Sequence, residues 1–380
     1  MSGIEVGTSG ALLDELAGWV RMETPTTDAV SVNRLVDIAE AGLGEAGAVL
    51  RRIPGRNGFG DALLAHMPGK GGPGDQERQV LLLGHLDTVW DEGTLAAMPF
   101  RVEGERAHGP GIYDMKAGSF LGFHVMRSML RQRVATPRPV TLLLTPDEEV
   151  GSPTSRALIE EAARAAAMVL VLEPAGAGGA CVTARKGVGR FVLRIEGQAA
   201  HAGSAFQDGA SAVVELAEQI RRLHGLVDPD FGITLNVAPV WGGSRPNVIA
   251  AEAGCEIDLR VPDAEAGARL ERRILELEAC TPGCRVAVEG GMNRPAFAES
   301  PAIARLYAKA RAVAGELGIA LPKQHRGGGS DGNFTAAMDV PTLDGLGCPG
   351  GGAHATHEHI LWHELAPRAR LLAGLLESAE

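Results

Sequence analysis

Val80-Leu81-Leu82-Leu83-Gly84-His85-Leu86-Asp87-Thr88-Val89 joins a short aliphatic run to a histidine and an aspartate two positions apart. The same arrangement recurs twice. Val140–Leu144 ends just before Asp147-Glu148-Glu149, and Met168–Leu172 ends at Glu173. Continuous apolar runs of this length suit strands buried on both faces of a parallel sheet. In open α/β sheets, chemistry collects beyond the carboxyl ends of such strands. Three ligand-type segments are therefore directed toward one cleft.

Helical patterns lie between these strands at Lys116–Arg131 and Pro153–Ala166, the second opened by Ser152 as N-cap with Pro153 at the first helical position. Strand and helix in alternation predict an α/β layer. After Glu173 a Gly- and Ala-rich segment, 174–179, is followed by a change of pattern. Strand 188–196, helix 209–225, strands 233–241 and 251–260, helix 264–279 and strand 284–289 give the order βαββαβ, a split ferredoxin-like unit. Ala210, Val213, Val214, Ala217, Ile220 and Leu223 place one apolar face on the 209–225 helix. From Arg294 onward come another helix, the Gly-rich turn 326–332, His354 and a final helix at 364–378. His354 is a strong candidate for completing the first site, so the chain is expected to return to its first domain. The expected division is 1–186 and 294–380 for the catalytic domain, with 187–293 inserted.

With 380 residues, 45% of them apolar, the chain can bury a core large enough for two domains. A net charge of −11 argues against nucleic acid or an anionic membrane surface as partner. Met1–Val20 carries Glu5, Asp14 and Glu15 and has no continuous apolar stretch, so it does not read as a secretory signal. The longest purely apolar run, Ala165–Leu172, is too short to span a bilayer. A cytoplasmic protein is expected, and its five cysteines, an odd number, read as free thiols.

His85 and Asp87 fall on the same side of an extended segment, where the carboxylate can take the second imidazole N–H and so orient a metal-binding histidine. Asp147-Glu148-Glu149 crowds carboxylates at the end of a buried strand, a conflict that cations remove. Of the adjacent glutamates, one can ligate metal while the other accepts a proton from water. Glu149 is assigned the first role and Glu148 the second. Asp114 sits at a loop-to-helix junction and reads equally well as an N-cap.

Several ordered segments carry a resemblance. They are Gly84–Val89, Pro99-Phe100-Arg101-Val102-Glu103-Gly104, Gly109-Pro110-Gly111-Ile112 with Asp114–Lys116, Asp147-Glu148-Glu149, Glu173-Pro174, His201-Ala202-Gly203, Asn247-Val248-Ile249, Asp258-Leu259-Arg260, Arg294-Pro295-Ala296-Phe297 and Gly327-Gly328-Gly329-Ser330-Asp331. Together they span nearly the whole chain and resemble the bacterial glutamate carboxypeptidases of the carboxypeptidase G type, within a large family of dizinc aminoacylases and peptidases.

The resemblance implies a mixed-sheet zinc-peptidase catalytic domain whose inserted ferredoxin-like α+β unit serves as lid and dimerisation domain. It implies two Zn²⁺ per subunit, with Co²⁺ or Mn²⁺ as substitutes. Asp114 would bridge them, His85 and Glu173 completing one site, Glu149 and His354 the other. In Gly352-Ala353-His354-Ala355-Thr356-His357-Glu358-His359, His354 fits the family spacing four before Glu358, and His357 is the fallback. His201 would stabilise an oxyanion across a homodimer interface. Asn247, Arg260 and Arg294 match substrate-binding positions, and planar guanidinium groups suit a carboxylate. The implied reaction is hydrolysis of a peptide, folate-like or N-acyl amide, releasing a C-terminal amino acid, glutamate in preference. An N-acyl amino acid deacylase resembling acetylornithine deacetylase, a dipeptidase, and a non-catalytic metal-binding homologue are the alternatives. Ala250, Ala117 and Tyr113 depart from the usual family residues and bear on substrate range.

Overall fold

A computed structural model of the chain describes residues 4–71 and 78–379. The three aliphatic runs form strands Gln79–His85, Val140–Thr145 and Ala166–Val171. The first pairs in parallel with each of the others and sits between them. Their interior residues, including Leu81, Leu82, Leu83, Leu142, Leu143 and Leu170, have no exposed surface. That burial on both faces is why these segments are continuously apolar rather than alternating. Thr342–Leu343 extends the sheet in parallel at one edge. On the other side, Ala62–Met67 and Val49–Ile53 add antiparallel strands and make the sheet mixed. A smaller four-stranded sheet comprises Arg101–Glu103, Arg106–His108, Gly350–Gly351 and His359–Leu361.

The helix after the first ligand strand runs Ala117–Arg131. The next begins later than its sequence suggests, at Arg156 rather than Pro153, with Ser155 as N-cap and Arg164 as its last residue. Asp147 is the cause. Its carboxylate accepts from Thr154 N–H at 2.6 Å, Thr154 Oγ1 at 2.7 Å and Ser155 N–H at 3.3 Å, holding this stretch as a loop. Ser152 is not a cap: its φ is 58°, and its hydroxyl donates to Asp331.

The chain forms two compact units. One comprises the chain up to Ala184, Glu299–His325 and the chain from Ser330 onward. The other is Arg185–Ala298 with Arg326–Gly329. In the second unit, strands Gly187–Glu196, Thr234–Gly242, Glu252–Val261 and Arg285–Arg294 form an antiparallel sheet. Thr234–Gly242 and Arg285–Arg294 lie at its edges, with Glu252–Val261 beside the former and Gly187–Glu196 beside the latter. Helices Ala212–His224 and Ala264–Leu275 complete the order βαββαβ.

The first of these helices buries a different face from the one its pattern predicts. Ala212, Glu215, Leu216, Gln219 and Leu223 are buried, whereas Val213 and Val214 are 43% and 57% exposed. Ala210 is not helical but pairs with Gln198 in a bridge, and the helix starts after Ser211. Glu215 occupies the inner face because its carboxylate accepts the Cys280 and Thr281 backbone N–H groups and the Gln219 amide. Among the described residues no helix is long and apolar enough to cross a membrane.

Candidate metal centre

Three of the five candidate ligands leave the six-stranded sheet at its expected end. His85 closes its strand, Glu149 lies in a short turn after Val140–Thr145, and Glu173 follows Ala166–Val171. Asp114 comes from a tight Ile112–Lys116 turn, where its φ of −114° and ψ of 99° are not helical. The following helix begins at Ala117 with Lys116 in the cap position, so Asp114 does not cap it. His354 arrives from the far end of the chain with φ at 59°, in the left-handed region where histidine is enriched among non-glycine residues and where strain accompanies function.

These residues converge around Asp114. Its Oδ1 lies 3.5 Å from His85 Nε2, and its Oδ2 lies 3.4 Å from His354 Nε2. The two oxygens of one carboxylate thus face two different imidazoles. Glu173 Oε1 stands 3.7 Å from His85 Nε2, and Glu149 Oε2 stands 3.2 Å from His354 Nε2. Glu148 Oε2 is 4.0 Å from His85 Nε2, inside the same donor set. Of the two histidines the sequence offers, His354 is the one whose ring lies within 3.4 Å of Asp114 and 3.2 Å of Glu149.

The donors suit cations by charge and by direction. His85 Nδ1 lies 3.0 Å from the Asp87 carbonyl oxygen and 3.3 Å from its carboxylate. Donation to these acceptors puts the proton on Nδ1 and leaves the Nε2 lone pair toward Asp114. His85 Nε2 and Glu149 Oε1 are buried without a hydrogen-bond partner. Buried polar atoms left without partners need an explanation, and divalent ions taking their lone pairs would supply one. Two triads, His85 with Glu148 and Glu173, and His85 with Asp114 and Glu149, have ligand atoms close enough to share an ion.

The titration of these groups reflects the same crowding. Burial disfavours the charged form of His85, but the surrounding carboxylates of Asp114, Asp87 and Glu148 outweigh it, holding its pKa well above the ordinary value. Hydrogen bonds to Asp114 and Glu149 raise His354 to about 10. Burial pushes Asp114 up, yet the two histidines hold it well below the usual carboxylate range. Burial lifts Glu149 despite its bond to His354. Cation binding at these imidazoles must expel their protons, so affinity rises with pH.

Asp87 does more than orient His85. Fully buried, it accepts Thr26 Oγ1 at 2.8 Å and the backbone N–H groups of Glu148 and Glu149 at 3.2 Å each. One carboxylate thereby holds the histidine arm against the glutamate arm. Asp87→Asn is expected to lower metal affinity about 10–100-fold, the effect typical of residues that hold ligands in place, measured by competition with a chromophoric chelator.

Two supporting residues carried no local sequence signal. Thr26 lies 61 positions from the carboxylate it bonds. Glu358, noted in the sequence only as a spacing mark, is fully buried and accepts four N–H groups, those of Gly111, Tyr113 and Asp114 and the Trp90 indole.

His201, Asn247, Arg260 and Arg294 all lie in the second unit. His201 bridges to Val248, and Ala202 N–H donates to Asn247 O at 3.0 Å, so His201 and Asn247 are neighbours. His201 Nδ1 accepts from Gly203 and Ser204 N–H at 3.1 Å, which puts the ring proton on Nε2. Arg260 is held by Asp258 through two bonds, 2.6 and 2.8 Å. Arg294 is buried at the end of its strand.

Residues 81–378 match the family model of peptidase family M20/M25/M40. The chain belongs to that family. Carboxypeptidase G2 of Pseudomonas sp. (strain RS-16) is 32% identical over 372 residues, 96% of this chain and 88% of that protein. The aminopeptidase PepT structure from Bacillus cereus shares the fold of this M20 chain with a TM-score of 0.78 at 21% identity, covering 98% of this chain and 99% of that one. Bacillus subtilis YXEP, described as a dinuclear metal-binding peptidase of the M20 family, superimposes with a TM-score of 0.71 at 14% identity over 98% of each chain. With the family's chemistry and the ligand cluster both in place, this M20 member is a metallohydrolase.

Proposed function

We propose that the chain is a dizinc carboxypeptidase that hydrolyses an amide bond and releases a C-terminal amino acid, glutamate in preference. The observation that carries this reading is the Asp114 carboxylate turned toward two histidines, Oδ1 to His85 and Oδ2 to His354. Similarity to carboxypeptidase G2 over most of both chains supports carboxypeptidase activity. Asp114 would bridge two Zn²⁺ ions, with His85 and Glu173 on one and Glu149 and His354 on the other. Bound there, the ions would polarise the scissile carbonyl and make water a stronger acid.

The chain's own groups do the rest. Glu148 sits at the edge of the cluster, 4.0 Å from His85 Nε2, and takes the general-base role, accepting the proton of the attacking water and passing it to the leaving amine. His201 presents Nε2–H as a donor suited to a developing oxyanion. Arg294 and Asn247 are assigned to the substrate's carboxylates. Arg260 joins them only by exchanging Asp258 for substrate, since its guanidinium is already bidentate.

The second unit is assigned the part of a ferredoxin-like lid through which two chains pair. Val213 and Val214 are exposed on its Ala212–His224 helix, and Val240 and Trp241 are exposed on the Thr234–Gly242 edge strand. A hydrophobic helix face beside an open strand edge is a surface made for pairing. Val214→Asp is expected to convert a dimer to a monomer in light scattering and, with His201 delivered across the interface, to lower turnover in parallel.

A substrate panel tests the main reading. Folate-like amides, N-acyl-glutamates and peptides ending in glutamate are expected to release glutamate in the presence of Zn²⁺ and not after chelation. Preferential cleavage of N-acetylornithine, or of free dipeptides without regard to the C-terminal residue, would contradict it.

A further inference from the structure

Glu358 is a carboxylate four residues beyond His354, and both of its oxygens accept N–H groups. Its Oε1 accepts the backbone N–H groups of Tyr113 at 2.9 Å and Asp114 at 3.0 Å. Its Oε2 accepts Gly111 N–H at 2.9 Å and Trp90 Nε1 at 2.7 Å. Four charge-assisted bonds on one fully buried side chain form a strong and geometrically closed arrangement. The donors come from two places: the loop that carries Asp114, and Trp90, five residues beyond His85. The acceptor comes from the segment that carries His354, whose turn is closed by Glu358 N–H on Ala355 O at 2.9 Å. Three ligand-bearing segments meet at this carboxylate.

We propose that Glu358 is the positioning residue of the centre, fixing the bridging Asp114 before metal arrives and setting the His354 subsite in particular. The inference rests on the dinuclear reading given above. Its selectivity follows from connectivity. In the subsite of Glu149 and His354, two of the three ligands, Asp114 and His354, are carried by segments that Glu358 joins. In the subsite of His85 and Glu173, Glu358 holds Asp114 but reaches the His85 segment only at Trp90, five residues on, while His85 itself closes a central strand and its Nδ1 has its own acceptors on Asp87. Loss of the Glu358 carboxylate should therefore loosen one metal more than the other.

The test is metal titration of the full-length chain, stripped with chelator and reloaded with Co²⁺ under competition, reading the equivalents bound and the visible absorption of each. Glu358→Gln keeps the side-chain volume but turns an amide NH₂ toward backbone N–H donors. Wild type is expected to take up two equivalents. The variant should bind the first as wild type does and the second about 10–100-fold more weakly, with an altered absorption band. Two equivalents bound with wild-type affinity, or two weakened equally, overturn the proposal while leaving the dinuclear reading intact. A wild-type chain that binds fewer than two equivalents overturns both. Amide hydrogen exchange on metal-stripped wild type gives a measurement that needs no variant. Gly111, Tyr113 and Asp114 should be protected to the same degree with and without Co²⁺, and rapid exchange there in the stripped chain overturns the proposal.

Discussion

Glu148→Gln is expected to leave metal uptake at two equivalents while lowering amide turnover about 10²-fold or more, the contribution typical of a positioned proton carrier. The separation of effects follows from the geometry. The imidazoles are served by other carboxylates, His354 by Asp114 and Glu149 and His85 by Asp114 and Glu173, so the donors remain when Glu148 loses its charge. Its backbone N–H still bonds Asp87, so the turn keeps its shape. The amide retains the volume and one acceptor oxygen but cannot carry the proton. Parallel metal analysis and kinetics on one preparation decide the matter. Near-normal turnover would remove Glu148 from the base role, and a lost metal equivalent would move it into the ligand set, where its 4.0 Å distance from His85 Nε2 also fits.

The second large effect belongs to Asp114→Ala. Its two oxygens address both histidines, so its removal should cost at least one bound metal and, with it, several kcal/mol of transition-state stabilisation. At about 1.4 kcal/mol per decade, that is a loss of roughly 10³-fold or more in kcat/KM. Removing Asp114 also leaves His85 and His354 without the carboxylate that helps to raise their pKa values. His354 should then titrate below about 10, visible in the pH dependence of its imidazole resonances. A variant retaining two metals and wild-type kcat/KM would show that the carboxylate does not bridge.

The candidate ligands differ in how far local sequence could reveal them. His85, Glu149 and Glu173 were legible because each ends or follows an aliphatic run, and a strand buried on both faces has no other reason to be so uniformly apolar. Asp114 was not. Its turn is shaped by Glu358, 244 positions away along the chain, so nothing near Asp114 separates a carboxylate set between two histidines from a helix cap. Resemblance to a family supplied what spacing could not. His354 was one of three histidines in a short stretch, and its selection depends on a left-handed backbone that no local residue preference dictates.

The misplaced boundaries have the same origin. Ser152 and Pro153 carry good helix-start chemistry, but Asp147 captures the Thr154 and Ser155 N–H groups and moves the start to Arg156. The helix at Ala212–His224 shows apolar spacing on two faces, and burial of Glu215 against Cys280 and Thr281 decides between them. Both cases turn on a buried carboxylate satisfied by distant or out-of-register backbone donors. Such bonds override local propensity because leaving these groups unpaired would cost more than shifting a helix by one turn.

Anomalous diffraction from crystals grown with Zn²⁺ tests the central claim most directly. Two peaks about 3.5–4 Å apart are expected, one on each side of the Asp114 carboxylate. The first should lie against His85 Nε2 and Glu173, the second against His354 Nε2 and Glu149. A single peak, or a pair ligated by His357 or away from Asp114, would contradict the account.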